Sequence, residues 1–422
     1  MSRYDYDIAI VGAGASGLIA ADFAVKLGVR VLLIEKDRIG GDCTWTGCVP
    51  SKSLIKVASV AHAMRTAAIF GIVPSAPVVA MQQVREYLRK TIHQIYAPTT
   101  PEALRAKGMN VLLGAAQFID PHTLMVNETR VTARRVLLNT GAVPRLPDVD
   151  GLANVRFVTY REIFENDTLP RTLLVIGGGP VGCEIAQCYR RLGAEVTLIA
   201  ERLLPHEEPE ASAALETVFE KEGIVRVRAR ATGAREADGR TTVATQTGEH
   251  SGDLLLVATG RRPQVDGLAL DNAGIRFSED GIVVDKYLRT TASHIFAAGD
   301  VTGGPQYSHL AGWQGFHAAR NALLPGNSRG WSDATPAVTF TAPEIARAGL
   351  TEKAARERGE DVSAETLDLS KVDRAVSEND CIGFVKLIVR RNGHIAGATF
   401  VGERAGEAIT ELVLAMQRGL KV

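Results

Sequence analysis

The 422-residue chain has only five cysteines, no excess of either charge and no long apolar run. An odd, sparse set of cysteines is not the disulfide framework of a secreted protein. Lys plus Arg and Asp plus Glu number 48 each, without a basic block, which argues against nucleic acid or an anionic membrane as the main partner. With no bilayer-spanning stretch and no signal peptide pattern, a soluble, cytoplasmic protein is expected, and the length favours two or three domains.

The N-terminal segment has the pattern of a dinucleotide-binding βαβ unit. In order, it contains an apolar strand at 6–12, the turn residues Gly12, Gly14, Ala15, Ser16 and Gly17, a helical run to about residue 27, a second strand at 29–34, and Glu35 followed by Lys36. Gly12 permits the tight turn, Gly14 lets the backbone approach a pyrophosphate, and Gly17 lets the helix pack on the strand. The helix N-terminus offers amides to the phosphates, and Glu35 stands where a carboxylate accepts ribose hydroxyls.

A second copy of this pattern begins 165 residues after Gly12. It comprises the strand 173–176, the turn Gly177, Gly179, Pro180, Val181 and Gly182, a helix, and the strand 195–199. Two copies imply two nucleotide sites. The position of the acid holds Ala200 in the second copy. Of the next two residues, Glu201 suits the free ribose hydroxyl of NAD, whereas Arg202 suits the 2′-phosphate of NADP. Because the discriminating acid is missing, NADPH is favoured, and NADH stays an alternative.

A third nucleotide contact is expected at Asp300, which ends the apolar segment 295–300. A carboxylate at the C-terminal edge of a strand faces the crevice where such sheets bind ligands, although a Gly-Asp pair also forms simple turns. The remaining predicted cofactor contacts are Gly41, Thr140, Gly141, Gly260, Gly299 and His309. The alternative for His309 is an ordinary helix-start residue.

Two cysteines, Cys43 and Cys48, stand in the glycine-rich segment GGDCTWTGCVPSK. Residues five apart point about 140° away from each other on a regular helix, so a bond between them needs a distorted turn, which the glycines and proline of the segment permit. Cys183 and Cys188 have the same spacing in an unbroken helical stretch, where small buried residues are expected. With no further ligands nearby, no metal site is predicted.

These motifs together resemble those of a known family. The matching segments are GAGASG at 12–17, GGDCTWTGCVPSK at 40–52, GGGPVGCE at 177–184, VATGRRP at 257–263, AAGDV at 297–301 and VTFTAPEIARAGLTE at 338–352. The chain is similar to the two-cysteine pyridine nucleotide-disulfide oxidoreductases, which include dihydrolipoamide dehydrogenase, glutathione reductase and mercuric reductase. The segment that begins with AAGDV looks most like the mercuric-reductase branch.

The resemblance implies an enzyme that binds FAD and NADPH or NADH and uses a redox-active disulfide. Cys48 would be the thiol beside the flavin, and Cys43 the outer thiol that exchanges with substrate. Lys52 would lie near the flavin and pair with Glu184. The same resemblance assigns the ribityl chain of FAD to Asp300 and its adenosine ribose to Glu35. The implied acceptor is a small-molecule disulfide or a metal thiolate; the alternatives are mercuric ion reductase proper, dihydrolipoamide dehydrogenase and a catalytically impaired flavin-binding homologue.

The expected fold class is α/β, with two Rossmann-like doubly wound domains, for FAD and NAD(P), and a C-terminal α+β dimerisation domain. The predicted boundaries are 1–149 and 266–330 for the two parts of the FAD domain, 150–265 for the NAD(P) domain and 331–422 for the dimerisation domain. Helices are predicted at 51–70, 82–97 and 308–323, and a hairpin at Asn392-Gly393.

The C-terminus departs from the family pattern. The family normally continues into a His–Glu pair that serves the partner subunit's outer thiol, whereas the sequence ends at Val422. We therefore expect a homodimer whose dimerisation domain is incomplete and whose contacts are weakened. The apolar face of the last helix is expected to lose its cover; this face consists of Ile409, Leu412, Val413 and Met416.

Overall fold

The computed structural model describes residues 4–422 of the chain. Within that range, no helix is both long and apolar enough to cross a membrane. The chain divides into two units, each assembled from separate segments. The first unit contains the described residues up to Pro50, Tyr87–Arg145 and Arg261–Ser332, and the second contains Ser51–Glu86, Leu146–Gly260 and Asp333–Val422. The helices Cys48–Thr66 and Met81–Tyr96 carry the chain from one unit into the other. The four-part division of the sequence stays a prediction.

The first unit is built around one sheet of short, apolar strands. In spatial order the strands are Asn110–Leu113, Val31–Glu35, Tyr6–Val11, Thr129–Leu138, Thr123–Val126 and Ala116–Asp120, and Ile295–Ala297 also pairs with Thr129–Leu138. The long strand Thr129–Leu138 is antiparallel to Thr123–Val126 in its first part and parallel to Tyr6–Val11 from Ala133 onward. The parallel strands are buried and rich in Val, Ile and Leu, as expected for strands covered on both faces.

Two helices of the first unit, Ala15–Lys26 and Ser308–Leu323, pack closely on one face of this sheet. Their buried faces are formed mainly by alanines and glycines, which allow the helix backbones to approach the strands. The unit also contains the helices Gly41–Trp45 and Pro101–Ala106, the 3-10 turns Ala97–Thr99, Leu270–Ala273 and Asp300–Thr302, and the strand pairs Ala142–Pro144 with Arg261–Pro263 and Phe277–Ser278 with Gly281–Ile282.

The second unit contains three sheets. A parallel sheet has the order Val225–Val227, Glu195–Ile199, Thr172–Ile176, Leu254–Val257, and an antiparallel sheet has the order Ala231–Ala237, Arg240–Thr245, Gly248–Gly252. A five-stranded antiparallel sheet has the order Pro336–Thr339, Glu344–Gly349, Ile395–Gly402, Phe384–Arg390, Val362–Asp368. Its helices are Pro180–Leu192, Pro209–Glu222, Glu352–Glu357, Asp373–Ser377 and Ala405–Gln417, and its 3-10 turns are Ala67–Phe70, Leu152–Asn154, Ile163–Glu165 and Leu369–Lys371.

The predicted α/β class is confirmed, and most predicted elements agree with the structure to within a few residues. The last helix, Ala405–Gln417, corrects one expectation. Its apolar face is partly covered by the helix's own unit: Ile409 is fully buried, and the other three apolar side chains of that face are half-buried and pack on alanines of the five-stranded sheet.

Candidate active site

The first glycine turn has the geometry that a dinucleotide fingerprint requires. Gly12 has a φ of +100°, and a Cβ there would lie 2.3 Å from the carbonyl oxygen of Asn139. A Cβ on Gly17 would lie 1.9 Å from the carbonyl oxygen of Gly12, so only glycine lets the helix pack this closely. Gly14, the N-cap of the helix, faces open space, since a Cβ there would meet no heavy atom within 4 Å. The turn therefore leaves room for a phosphate group at Gly14.

Polar side chains surround this turn. Glu35 is buried, and its carboxylate accepts hydrogen bonds from the amides of Ala13 and Asp37, both at 2.8 Å. The hydroxyl of Ser16 lies 2.6 Å from Oδ1 of Asn139. Nδ2 of Asn139 is buried without a hydrogen-bond partner among the described residues, which is the state of a donor that a bound ligand would satisfy. These features fit a dinucleotide cofactor.

The other predicted contacts around this turn are placed differently. Lys36 is exposed. The hydroxyl of Thr140 donates a hydrogen bond to the carbonyl oxygen of Gln264 at 2.6 Å. Gly141 has a φ of +72° and open space around it. Gly41 approaches the backbone of Gly14, where a Cβ would lie 2.9 Å from the Gly14 Cα.

Asp300 and Gly299 lie at the end of the strand Ile295–Ala297, as the sequence pattern indicates. Gly299 has a φ of +78° and donates its amide to the Gln314 side chain at 2.8 Å. Burial raises the pKa of Asp300, and the nearby guanidinium of Arg261, 2.8 Å away, opposes this effect. The same guanidinium lies 2.9 Å from Asp42, the residue directly before Cys43. Arg261 thus connects the strand end to the cysteine segment.

The cysteines form a close pair of thiols. Cys43 lies in the short helix Gly41–Trp45, and Cys48 begins the helix Cys48–Thr66. Gly47 permits the turn between them, since a Cβ there would lie 2.8 Å from the carbonyl oxygen of Asp42. A hydrogen bond to Cys48, followed by burial and the charge of Cys48, raises the pKa of Cys43 well above the usual range. The two thiols are therefore hydrogen-bonded to each other, and this contact favours the protonated form of Cys43.

A hydroxyl completes this cluster. Oγ of Ser308 lies 3.1 Å from Sγ of Cys48, and its hydrogen bond to Cys43 opposes the rise in the pKa of that thiol. Ser308 is the first residue of the helix Ser308–Leu323, whose first turn carries no acid. The neighbouring His309 is stacked on Tyr307, with ring centroids 5.6 Å apart. The cysteines, Ser308, Asp42 and Arg261 all belong to the first unit.

The second glycine turn repeats the geometry of the first. Gly177 has a φ of +121°, and a Cβ on Gly182 would lie 2.0 Å from the carbonyl oxygen of Gly177. Gly179 caps the helix that begins with Pro180 and faces open space. Val181 is partly exposed in the first turn of that helix, and Gly260 has a φ of +112° with open space around it.

Glu201 and Arg202, the two candidate contacts of the ribose 2′ position of NAD(P), differ in whether their charge is already paired. Glu201 forms an exposed ion pair with Arg230 at 2.6 Å. Arg202 is exposed and has no ion pair within the described part of the chain. Arg226 donates a hydrogen bond to the carbonyl of Ala200 at 3.2 Å, which adds a cation at this strand end. The positive charge of Arg202 is therefore available to a ligand, whereas the carboxylate of Glu201 is compensated.

Lys52 and Glu184 form the predicted ion pair in the second unit. Nζ of Lys52 lies 3.2 Å from Oε2 of Glu184, and Glu184 is buried. The other carboxylate oxygen of Glu184 accepts the amide of Phe340 at 2.9 Å. Nζ of Lys52 also lies 4.0 Å from the centre of the Phe340 ring, a cation–π contact. Phe340 thus contacts both members of the pair, Glu184 through its backbone amide and Lys52 through its ring.

Sequence reasoning missed Ser308, Arg261, Asp42 and Phe340. Ser308 stands between the two residues considered there, Tyr307 and His309, and its position at a helix start was the available signal. The predicted inert cysteines are as expected: Cys183 and Cys188 are buried, and burial is the main cause that raises the pKa of each.

Comparisons with known proteins identify the family. The sequence model described as pyridine nucleotide-disulphide oxidoreductase matches residues 6–315, and the model of that family's dimerisation domain matches residues 335–422. The chain is 39% identical to the mercuric reductase of Streptomyces lividans over 433 residues, covering 99% of this chain and 91% of the relative. It is 35% identical to the mercuric reductase of Bacillus cereus over 429 residues, covering 100% and 68%, respectively.

Solved structures agree with this result. The HOCl-induced flavoprotein disulfide reductase RclA from Escherichia coli superposes with a TM-score of 0.88 at 28% identity, covering 99% of this chain and 94% of that one. LpdA from Mycobacterium tuberculosis has a TM-score of 0.88 at 29% identity, covering 98% and 94%. The chain belongs to the pyridine nucleotide-disulfide oxidoreductase family and is an FAD-dependent, NAD(P)H-driven oxidoreductase.

Proposed function

We propose that this enzyme is an NADPH-driven reductase that acts as a homodimer and delivers electrons through Cys43 and Cys48 to a thiol-bound soft metal ion such as Hg(II). The observation that carries the proposal is the hydrogen-bonded pair of free thiols formed by Cys43 and Cys48. Relatives of 34–39% identity over 98–100% of the chain are mercuric reductases, which supports the metal acceptor. The match to the dimerisation domain supports the homodimer.

The first glycine turn would hold FAD. Gly12, Gly14 and Gly17 with Ala15 and Ser16 would receive its pyrophosphate, Glu35 its adenosine ribose, and Asp300 its ribityl chain. The open space at Gly14 and the orphan amide of Asn139 support this assignment. When bound, FAD supplies the conversion of a two-electron hydride from the nicotinamide into two electrons for the cysteine pair.

The cysteines would exchange protons and electrons with the acceptor. Two electrons break the Cys43–Cys48 bond, and one proton from solvent gives a Cys43 thiol and a Cys48 thiolate. A metal ion bound by two outside thiolates transfers to the two cysteine sulfurs; one outside group leaves as a thiol with the Cys43 proton, and the other leaves as a thiolate. For Hg(II), the two cysteine sulfurs then give two electrons to the ion, which leaves as Hg(0), and in giving them the sulfurs form the Cys43–Cys48 disulfide again. A thiolate is the form of cysteine that binds metals and attacks disulfides, so the charged Cys48 sulfur suits this sequence.

Lys52 follows the cysteine pair on the helix that begins at Cys48, and Glu184, on the helix Pro180–Leu192, pairs with it. Lys52 is four residues after Cys48, so both side chains lie on one face of that helix. A lysine on this face stabilises negative charge that develops during reduction. The ion pair with Glu184 and the contact with Phe340 fix the direction of its ammonium group.

The second glycine turn would hold the nicotinamide dinucleotide. The pyrophosphate would approach Gly177, Gly179 and Gly182, where the N-terminus of the helix Pro180–Leu192 presents its amides. Preference for NADPH follows from the two residues after the second strand, since Glu201 is compensated by Arg230 while Arg202 is available to a 2′-phosphate.

A small-molecule disulfide is the second candidate acceptor, favoured by the similarity to the disulfide reductase RclA, a protein also solved as a Cu(II) complex. A thiol–disulfide exchange needs the same two sulfurs: Cys43 attacks one sulfur of the substrate, the first thiol leaves, and Cys48 then releases the second. The chemistry of the cysteine pair is therefore common to both acceptors, and turnover has to distinguish them.

NADPH oxidation by the purified holoenzyme tests the proposal with four acceptors: Hg(II) with excess thiol, Cu(II), lipoamide and glutathione disulfide. We expect kcat/KM for Hg(II)-thiolate to exceed that for either disulfide by at least about 10-fold. Cys43→Ser should lose this activity, and the control Cys381→Ser should keep it, because Cys381 is a free cysteine that does not belong to the segment of the redox pair. Faster turnover of a disulfide would overturn the metal acceptor, and no NADPH-dependent turnover with any of the four would overturn the reductase itself.

A further inference from the structure

A cavity lies at the edge of the parallel sheet of the second unit that is opposite to the second glycine turn. Its volume is about 520 Å³, and residues at the starts of the strands Thr172–Ile176, Glu195–Ile199 and Val225–Val227 line it. Because these strands are parallel, their starts share one edge of the sheet, whereas the turn at Gly177 follows the other edge. The cavity is therefore separate from that turn, and its volume is in the range of small-molecule sites.

The lining of this cavity collects positive charge. Three arginines line it, Arg171, Arg190 and Arg240, against one acidic residue, Glu195. None of the three has a carboxylate within hydrogen-bond distance in the described part of the chain. Several other exposed arginines of the second unit are paired with carboxylates at 2.5–2.9 Å: Arg156 with Glu236, Arg228 with Glu216, Arg230 with Glu201 and Arg235 with Glu249.

Backbone carbonyls, which carry no net charge, orient Arg190. Its Nε donates a hydrogen bond to the carbonyl oxygen of Glu222, and its Nη1 donates one to that of Ala194 at 3.2 Å. The backbone of Gly223 packs against the same guanidinium, since a Cβ there would lie 2.9 Å from Nη2. A guanidinium has five N–H donors, so the remaining donors and the whole positive charge of Arg190 are available to a ligand.

Arg240 and Arg171 complete the basic lining. Nη2 of Arg240 donates to the carbonyl oxygen of Ser251 at 3.1 Å, whereas its Nε is buried without a hydrogen-bond partner among residues 4–422. The carboxylate of Asp253 lies 3.7 Å from that Nε, which is too far for a hydrogen bond. The exposed guanidinium of Arg171 forms neither a hydrogen bond nor an ion pair with any described residue. An anion in the cavity would supply the acceptors that these donors lack.

We propose that this cavity is a binding site for a small multivalent oxyanion, the chemistry shared by phosphate esters and polycarboxylates. Guanidinium groups match the oxygens of such anions with paired, charge-assisted hydrogen bonds. The three arginines exceed the nearby carboxylates of Glu195 and Asp253 by one positive charge, so binding increases with the charge of the anion and weakens with salt. Glu195 repels the same anion and limits its affinity. The site is independent of the proposed electron acceptor.

The test measures anion binding to the FAD-loaded enzyme by isothermal titration calorimetry at low ionic strength. Inorganic pyrophosphate and citrate are the two probes, and saturating NADP⁺ is present because it would occupy the second glycine turn. Arg171→Met and Glu195→Gln change the charge of the cavity in opposite directions at two exposed positions, so neither substitution should disturb the fold. Arg228→Met is the matched control, because Arg228 is an exposed arginine that pairs with Glu216 and does not line the cavity.

We expect the Kd of the anion to rise at least about 5-fold in Arg171→Met, because a charge-assisted hydrogen bond is lost. It should fall about 2- to 5-fold in Glu195→Gln, because a repulsion is removed, and stay unchanged in Arg228→Met. Either probe that follows this order supports the site, and the tighter of the two identifies a phosphate or a carboxylate ligand. The absence of binding by both probes at concentrations up to about 10 mM would overturn the proposal. Binding that Arg171→Met and Glu195→Gln leave unchanged would overturn it as well.

Discussion

The guanidinium of Arg261 lies 2.9 Å from the carboxylate of Asp42, the residue that precedes Cys43. Its other ion pair, with Asp300, joins the cysteine segment to the end of the strand Ile295–Ala297. All three side chains are mostly shielded from water, so removal of the arginine leaves two carboxylates in a poorly solvated place. We therefore expect loss of the Arg261 side chain to destabilise the fold more than loss of an exposed arginine.

Arg261→Met should lower the free energy of unfolding by about 2–4 kcal/mol at pH 7. Arg262→Met is the matched control, since Arg262 pairs with the exposed Asp266, and it should cost less than about 0.5 kcal/mol. The pKa of Asp300 is already raised by burial, so this group favours folding when protonated and its contribution is lost as the pH rises through its folded pKa. The loss in Arg261→Met should therefore be smaller at pH 5 than at pH 7. Urea unfolding measures the free energy of unfolding of both variants at the two pH values. Equal losses in Arg261→Met and Arg262→Met would contradict a stabilising role for the Asp42–Arg261–Asp300 ion pairs.

Gly14→Ala and Gly17→Ala should fail in different ways. Gly14 has a φ of −77° and open space beside it, so Gly14→Ala should change the stability of the apoprotein by less than about 1 kcal/mol. Its methyl group would occupy the space assigned to the pyrophosphate, so FAD should be lost on gel filtration. Gly17→Ala would place a Cβ 1.9 Å from a backbone oxygen and should destabilise the apoprotein by about 3 kcal/mol. Full retention of FAD by Gly14→Ala would refute this position for the cofactor.

Arg202→Ala should reduce kcat/KM for NADPH about 10- to 100-fold, because a charge-assisted hydrogen bond to the 2′-phosphate would be lost. The value for NADH should change less than about 2-fold, since NADH has no such phosphate. Arg228→Ala is the control, because Arg228 is an exposed arginine of the same region that already pairs with Glu216. Steady-state kinetics give kcat/KM for NADPH and for NADH in the wild type and in both variants. A native preference for NADH that Arg202→Ala leaves unchanged would assign the ribose contact to Glu201.

Lys386 should be important for stability and not for catalysis. Its ammonium group is buried and lies 2.7–3.2 Å from the carboxylates of Glu208, Glu210 and Glu352. Lys386→Met should lower the free energy of unfolding by about 3–5 kcal/mol at pH 7, because it leaves these charges uncompensated. The exposed Lys353, paired with Glu357, is the matched control, and Lys353→Met should cost less than about 0.5 kcal/mol.

The pH dependence of that loss has a definite sign. Hydrogen bonding to Lys386 is the main cause that lowers the pKa of Glu352, so this carboxylate stabilises the fold above its unfolded pKa, and the effect is lost as the pH falls through the folded value. Without the lysine the carboxylates bind protons more readily, and the difference between Lys386→Met and wild type should shrink from pH 7 to pH 4. Denaturant unfolding at the two pH values measures this, and a difference that grew towards low pH would contradict the assignment.

Local patterns predicted much of the fold. The two glycine turns follow from sequence because their strand, turn and helix are contiguous, and the clash that a Cβ would create at Gly17 or Gly182 is itself local. The helices at 51–70 and 308–323 were also predictable, because helical periodicity is written in neighbouring residues.

Contacts between distant segments were not predictable in this way. Ser308 is 260 residues from Cys48, Arg261 is 219 from Asp42, and Phe340 is 156 from Glu184. A pattern among neighbouring residues does not predict which distant loop will contact the end of a strand. The burial of Ile409 in the last helix was not predictable for the same reason, since the surface that covers it is built from strands Glu344–Gly349 and Ile395–Gly402.

The most direct test of the account is to exchange each cysteine for serine and record the absorbance of the FAD-loaded protein. A thiolate beside an oxidised flavin gives a long-wavelength charge-transfer band. In the proposed roles Cys48 is the thiol beside the flavin, so Cys43→Ser, which leaves Cys48 without a disulfide partner, should show this band without any reductant, and Cys48→Ser should not show it after reduction. If Cys48→Ser has the band and Cys43→Ser lacks it, the roles of the two sulfurs are reversed; if neither variant nor the reduced wild type has it, electrons do not pass through this pair.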